Sequence, residues 1–301
     1  MQATYISPLT DFGFKKLFGE EPNKDLLISF LNTLLPDIHQ IQDLQYTKNE
    51  YQGISPLDRR AIFDLNCVST RGERFIIELQ KVKQAYFKDR SLYYSTFAIQ
   101  EQAQRGDWDY RLSTVYTIGI LDFVMDEQET EVLYHAQLKD QHNRVFFDKL
   151  NFIYIILPRF TKQAHELQSL QDKWLYTFCH LHQLEALPDS FHETVFTKLF
   201  AEAKLATFKP YDRQAYEESL KYYRDLKNSN DTAHREGHQE GLEEGLEQGR
   251  REGMEEGMEK GRQEAEKTTA LRMLAKGYTV EDTADLTGLP IDVVSLLKTE
   301  S

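Results

Sequence analysis

The chain reads as an α/β protein, a sheet covered by helices, and three features predict it. Apolar segments of strand length (61–70, 73–80, 115–123, 132–138 and 150–157) cluster in the first half of the chain. Segments of helical character precede and follow them. Two of the strand candidates, 115–123 and 150–157, are nearly all apolar, as expected of strands covered on both faces. A sheet formed early and covered by helices is an α/β layer structure.

Taken in order, the first element is a short helix. Thr10 is placed to cap it, and Phe14, Leu17 and Phe18 follow at helical spacing. A second helix over 25–35 carries Leu26, Leu27, Phe30, Leu31 and Leu34 on one broad face, and Pro36 ends it. Strands 61–70 and 73–80 flank Arg71-Gly72, a pair suited to a hairpin turn. A helix is expected over 85–104, then the three later strands, and after Pro158 the pattern is helical to about residue 228.

Residues 232–266 are of low complexity, with Gly237, Gly241, Gly245, Gly249, Gly253, Gly257 and Gly261 at every fourth position. Two readings stand. Each interior glycine weakens a helix by about 1 kcal/mol relative to alanine, which favours a flexible charged linker. A four-residue period advances about 400°, however, so the glycines form one slowly winding stripe along a helix. Such a stripe lets two backbones approach closely, and Glu, Leu and Met fill the other positions. Residues 267–301 read as three short helices: 270–276 ended by Gly277, a second capped by Thr279, and a third opening at Pro290 and running over 291–298. Their spacing is like a helix-turn-helix. The last helix has no arginine cluster, so packing or protein binding is favoured over groove reading. The expected domains are therefore 1–230, 231–266 and 267–301.

Hydrophobic residues make up 40% of the 301 residues and aromatics 12%, enough for a substantial core. The formal net charge is −13. Residues 231–266 contribute twelve acidic and five basic side chains, so −7 of that charge is local. The balance neither supports nor excludes nucleic-acid binding, which depends on where charge sits. Two cysteines, Cys67 and Cys179, cannot form a disulfide framework. No run of 18 apolar residues and no basic-then-apolar leader is present, which together point to the cytosol.

The candidate chemistry lies in Asp64 and, fourteen residues later, Glu78-Leu79-Gln80. Paired as a hairpin, the two carboxylates meet on one face, and Glu78 and Gln80, two apart on a strand, point the same way. That offers a hard divalent cation two oxygen ligands and leaves positions for water and a phosphate oxygen. On spacing alone, two ordinary polar residues on a half-exposed hairpin account for the pattern better. Asp11 reads as a first-turn acid favoured by the helix dipole. Arg90 and Tyr94, one helical turn apart, either contact a phosphate together or pack against each other. Cys179, His180 and His182 lack a second ligand cluster and read as ordinary helix residues.

A resemblance sharpens this. The stretch 10–19 (TDFGFKKLFG), Asp64-Leu65-Asn66-Cys67, 72–80 (GERFIIELQ), Arg90-Ser91-Leu92-Tyr93-Tyr94, Gly106 with Tyr110, 115–118 (VYTI) and Asp172-Lys173-Trp174-Leu175 recur in this order. With the Gly-Glu repeat and helical tail, the series resembles the PD-(D/E)XK nuclease family transposases, or recombination-promoting nucleases, over almost the whole chain. The resemblance implies a restriction-endonuclease-like core, DNA cleavage with Mg²⁺ or another divalent cation, and a link to recombination or mobile elements. It implies Asp64 and Glu78 as metal ligands, Asp11 as a further ligand on equal terms with its helix-dipole reading, and Gln80 where the wider superfamily often has lysine. Glutamine carries no charge, so it orients water but does not neutralise developing charge as lysine would. Lys81 is expected on the opposite face. The expected function is a DNA endonuclease, with a catalytically inactive DNA- or protein-binding module as the alternative. A homodimer through 232–301 is expected of the endonuclease, bringing two active sites to both strands.

Overall fold

The computed structural model describes residues 3–51, 61–103, 106–128 and 130–299. Helix α1 (Asp11–Phe18) opens with Thr10 as its cap, the Thr10 hydroxyl accepting from the Gly13 N–H at 3.0 Å. Its sequence leaves no room for a side chain at Gly13: a Cβ there would stand 2.1 Å from the Ser7 carbonyl oxygen. Helix α2 (Lys24–Asn32) buries Leu26, Leu27, Phe30 and Leu31, the face expected from its spacing.

A six-stranded mixed sheet follows, with β1 (Leu44–Tyr46), β4 (Leu65–Ser69), β5 (Arg74–Gln80), β6 (Val115–Leu121), β8 (Val145–Ile156) and β7 (Leu133–Lys139) side by side in that order. The central pairs β5–β6 and β6–β8 are parallel and the outer pairs antiparallel. Helix α3 (Phe87–Gln100) makes the crossover from β5 to β6. The 85–104 expectation overran it, and Gln104 lies outside the described residues.

The expected strand 61–70 is broken. A separate two-stranded ladder, β2 (Glu50–Tyr51) with β3 (Ala61–Ile62), takes its first two residues, and the chain bends at Asp64 before β4 begins. The break follows from bonding: the Phe63 N–H donates to the Asn49 carbonyl, not to the main sheet.

Strand alternation divides the core. Phe75, Ile77 and Leu79 of β5, with Tyr116, Ile118 and Ile120 of β6, join the large cluster made with α1, α2, α4 (Leu170–His180) and α5 (Thr194–Glu202). Their neighbours Ile76 and Val115 face α3, together with Phe63 and Ala98. Burial of whole aromatic side chains such as Trp174, Phe18 and Phe30, each worth roughly 1.5–3 kcal/mol, is what fixes this layer. The large core therefore lies on one face of the sheet, while the α3 face of β5 is free to carry polar residues.

The chain divides into two compact units, Met1–Asn230 and Asp231–Ser301. The glycine repeat is helical, within a single helix α6 (Pro210–Ala275). The helix expected at 270–276 is the end of this element, not a separate one. In the second unit, Gly277 follows its end with φ +89°. There α7 (Val280–Thr287) and α8 (Ile291–Thr299) pack on each other, with Thr279 as the N-cap of α7. Thr283, Ala284 and Val294 are buried there. Residues 300 and 301 lie outside the described residues.

Candidate active site

The β4–β5 hairpin creates the site. Its register pairs Leu65 with Ile77, so Asp64, the residue just before β4, sits beside Glu78. The carboxylate of Asp64 accepts from the Leu79 N–H at 2.6 Å. Its own carbonyl accepts from the Asn49 amide at 3.1 Å, which holds the bend. The Asp64 backbone in turn hydrogen-bonds the Glu78 carboxylate. Glu78 and Gln80 share the α3 face of β5, and the Gln80 amide donates to Glu78 Oε2 at 3.1 Å. Glu78 Oε1 is buried and has no hydrogen-bond partner among the described residues.

Space for this arrangement comes from Gly119, which stands opposite Glu78 on β6. A Cβ at that position would come 2.9 Å from the Tyr154 ring and 3.4 Å from Phe87. Buried aromatics thus close the site on the β6 side.

Electrostatics follow from the burial. Burial first, and the neighbouring Asp64 charge second, push Glu78 well above the usual carboxylate range, while Arg90 and the hydrogen bonds it accepts work against this. Asp64 is raised as well, mainly by burial and against the Leu79 N–H. Two adjacent carboxylates, short of countercharge and with one oxygen unpartnered, form a donor set that fits a hard divalent cation. Among the described residues no group of three or more His, Cys, Asp and Glu is placed to hold a metal.

The other expected site residues fall on two sides of the pair. Arg90 and Tyr94 project from α3 near Glu78. The Arg90 guanidinium lies 5.7 Å from the Tyr94 ring centre and 5.8 Å from that of Phe87, and Nη1 donates to Gln84. Its Nη2 is buried without a partner among the described residues. The side chain therefore packs against two rings while one of its donors keeps no partner among the described residues. Burial, and then the charge of Glu78, raise the Tyr94 hydroxyl. Asp11 stands apart on α1, half-exposed and paired with Lys15 at 3.1 Å.

Beyond Asp64 a cleft of about 710 Å³ opens between α1, the end of β5 and the start of α6, lined among others by Asp11, Lys15, Asn49, Lys81 and Tyr222. Lys81 was expected on the far face from the carboxylates. It lines the cleft on the α1 side, opposite the α3 face that carries Glu78 and Gln80, and there it feels the charges of Asp11 and Asp64. Asn49 and Tyr222 gave no signal in the sequence, because their roles depend on the β2–β3 ladder and on where α6 begins. Among the described residues, Cys179, His180 and His182 belong to no group of three or more His, Cys, Asp and Glu placed to hold a metal.

A sequence model of the PD-(D/E)XK nuclease family transposases matches residues 8–233, three quarters of the chain and all of the residues just described. No curated protein and no solved structure matches the chain significantly.

Proposed function

Since the chain belongs to the PD-(D/E)XK nuclease family transposases, we propose that it is a divalent-metal-dependent DNA endonuclease whose active site is Asp64, Glu78 and Gln80. The observation that carries this reading is the buried Asp64–Glu78 pair, with raised carboxylates and an unpartnered Glu78 oxygen. A protein keeps two neighbouring buried carboxylates with so little countercharge at a cost to stability, and sites with such perturbed groups are enriched in function.

Asp64 and Glu78 would hold the cation, Mg²⁺ or a similar hard ion. When bound, such a cation polarises a phosphodiester and makes water a better nucleophile at neutral pH. The chain's own residues do the rest. The Leu79 N–H fixes the Asp64 carboxylate, and the Gln80 amide fixes Glu78, so both ligands are pre-oriented. With its NH₂ turned to Glu78, the Gln80 carbonyl oxygen is left as an acceptor for water. Arg90 offers its unpartnered Nη2 to phosphate oxygen, and Tyr94 supports the guanidinium from below.

Purified protein should therefore nick and linearise supercoiled plasmid in Mg²⁺ or Mn²⁺ and lose this activity in chelator. An intact plasmid under every divalent cation would count against an endonuclease. One observation favours a second reading, a nuclease-fold module that binds DNA or protein without turnover: Gln80 brings no positive charge, and its amide is committed to Glu78. In that case Asp64→Asn would leave DNA binding intact and no cleavage would appear in wild type.

A further inference from the structure

The Asp64-side cleft contains three lysines, and they are not equivalent. Lys15 pairs with Asp11 at 3.1 Å and Lys16 with Glu20 at 3.0 Å. Lys81 has no carboxylate within ion-pair distance among the described residues. What lies beneath its ammonium is the ring of Tyr222, 5.5 Å away, from the first part of α6. Lys81 is only partly exposed. Its burial pulls the ammonium toward the neutral form, while Asp11 and Asp64 act in the opposite sense. A partly buried cation without a counterion among the described residues, three residues beyond Glu78 and open to a 710 Å³ cleft, is an anion site in waiting.

The cleft also contains Asp11, Glu20 and Glu218. Lys15 pairs with Asp11 and Lys16 with Glu20, while Glu218 accepts from the Gln214 amide at 2.9 Å, so Lys81 is the lysine of the cleft left without a carboxylate at ion-pair distance among the described residues. Its position answers the gap left by Gln80. The charge absent from the α3 side of Asp64 is supplied on the α1 side, where the chain leaves the strand.

We propose that Lys81, seated on the Tyr222 ring, is the phosphate-binding cation of this site and takes a backbone phosphate of a DNA strand lying in the cleft between α1 and α6. This rests on the nuclease reading. Tyr222 is then a positioning residue: it holds the lysine stem toward the cleft and does not itself touch the phosphate.

The test is binding of a fluorescent DNA duplex in chelator across a salt series, for wild type, Lys81→Ala, Lys81→Arg and Tyr222→Leu. One lost phosphate contact lowers the slope of log affinity against log salt by roughly 0.9. Lys81→Ala is expected to show that drop, with affinity falling alike for unrelated duplex sequences. Lys81→Arg should retain the wild-type slope. Tyr222→Leu should weaken binding less than Lys81→Ala, and Lys81→Ala combined with Tyr222→Leu no more than Lys81→Ala alone. Thermal unfolding of each variant, matched to wild type, keeps the comparison on folded protein.

If Lys81→Ala binds with the wild-type slope and affinity while wild type still cuts plasmid, the assignment of Lys81 is wrong and the nuclease reading survives. If wild type neither binds duplex nor cuts plasmid, the nuclease reading fails and takes the phosphate site with it.

Discussion

Two carboxylates, Asp64 and Glu78, sit side by side with less countercharge than they need, and this has a consequence for stability that does not depend on catalysis. Both are raised in the fold relative to their ordinary values, which for Glu78 is near 4.5. Above that value the unfolded chain has released a proton that the native site still holds. Native stability therefore falls as pH climbs from about 4.5 through the raised native value, and levels off beyond it. Metal-free Glu78→Gln is expected to flatten this dependence and to melt higher than wild type at pH 8, by about 1 kcal/mol or more. Added Mg²⁺ should stabilise wild type and not the variant. A Glu78→Gln protein that melts below wild type at pH 8 without metal would contradict the account of an uncompensated pair. Gly13 acts at the same scale. Its Cβ would lie 2.1 Å from a backbone carbonyl that no rotamer change can move, so Gly13→Ala should cost several kcal/mol and lower the urea midpoint markedly. A midpoint unchanged in Gly13→Ala would mean that α1 has room to shift.

Elements differ in how openly the sequence announces them. Helices α1 and α2 were legible because caps and apolar spacing agree, as at Thr10 and at Leu26–Leu27–Phe30–Leu31. The strands β5 and β6 were legible from continuous apolar runs, and the β4–β5 hairpin from Gly72, whose φ of +86° suits the turn. The break at Asp64 was not, since it depends on Asn49, a residue fifteen positions away whose partner choice no local pattern encodes. Whether 232–266 was linker or helix also lay beyond local propensity, and the region forms part of α6. A substituted Cβ at any of its seven glycines would meet nothing within 4 Å. In a lone helix, then, replacing Gly241, Gly245 and Gly249 by alanine should raise helicity and stability, by roughly 1 kcal/mol each. If the stripe instead seats a second helix, the same triple variant should dissociate the pair. We propose the latter, and circular dichroism with sedimentation analysis of the triple variant separates the two.

For the whole molecule, the proposed organisation is a nuclease-like domain over 1–230, a Gly-Glu helical region over 231–266 and a helical tail over 267–301. Leu242, Leu246, Met254 and Met258 are exposed along α6. Apolar side chains at this spacing on an otherwise charged helix fit a self-pairing role, with two active sites brought to the two strands of a duplex. Removing residues 232–301 is expected to convert a dimer into a monomer in light scattering and to shift plasmid products from linear toward nicked. A truncated protein that remains dimeric would place the interface elsewhere. No helix among the described residues is long and apolar enough to cross a membrane.

The central claim is that one carboxylate pair, Asp64 and Glu78, makes the chain a metal-dependent nuclease. Plasmid cleavage by wild type, Asp64→Ala and Glu78→Ala, run side by side in Mg²⁺ and in chelator, tests it most directly. The expected result is metal-dependent cutting by wild type and a loss of at least about a hundredfold in each variant, a barrier increase of roughly 3 kcal/mol. Equal cutting by all three proteins, or none by wild type in any divalent cation, would contradict it.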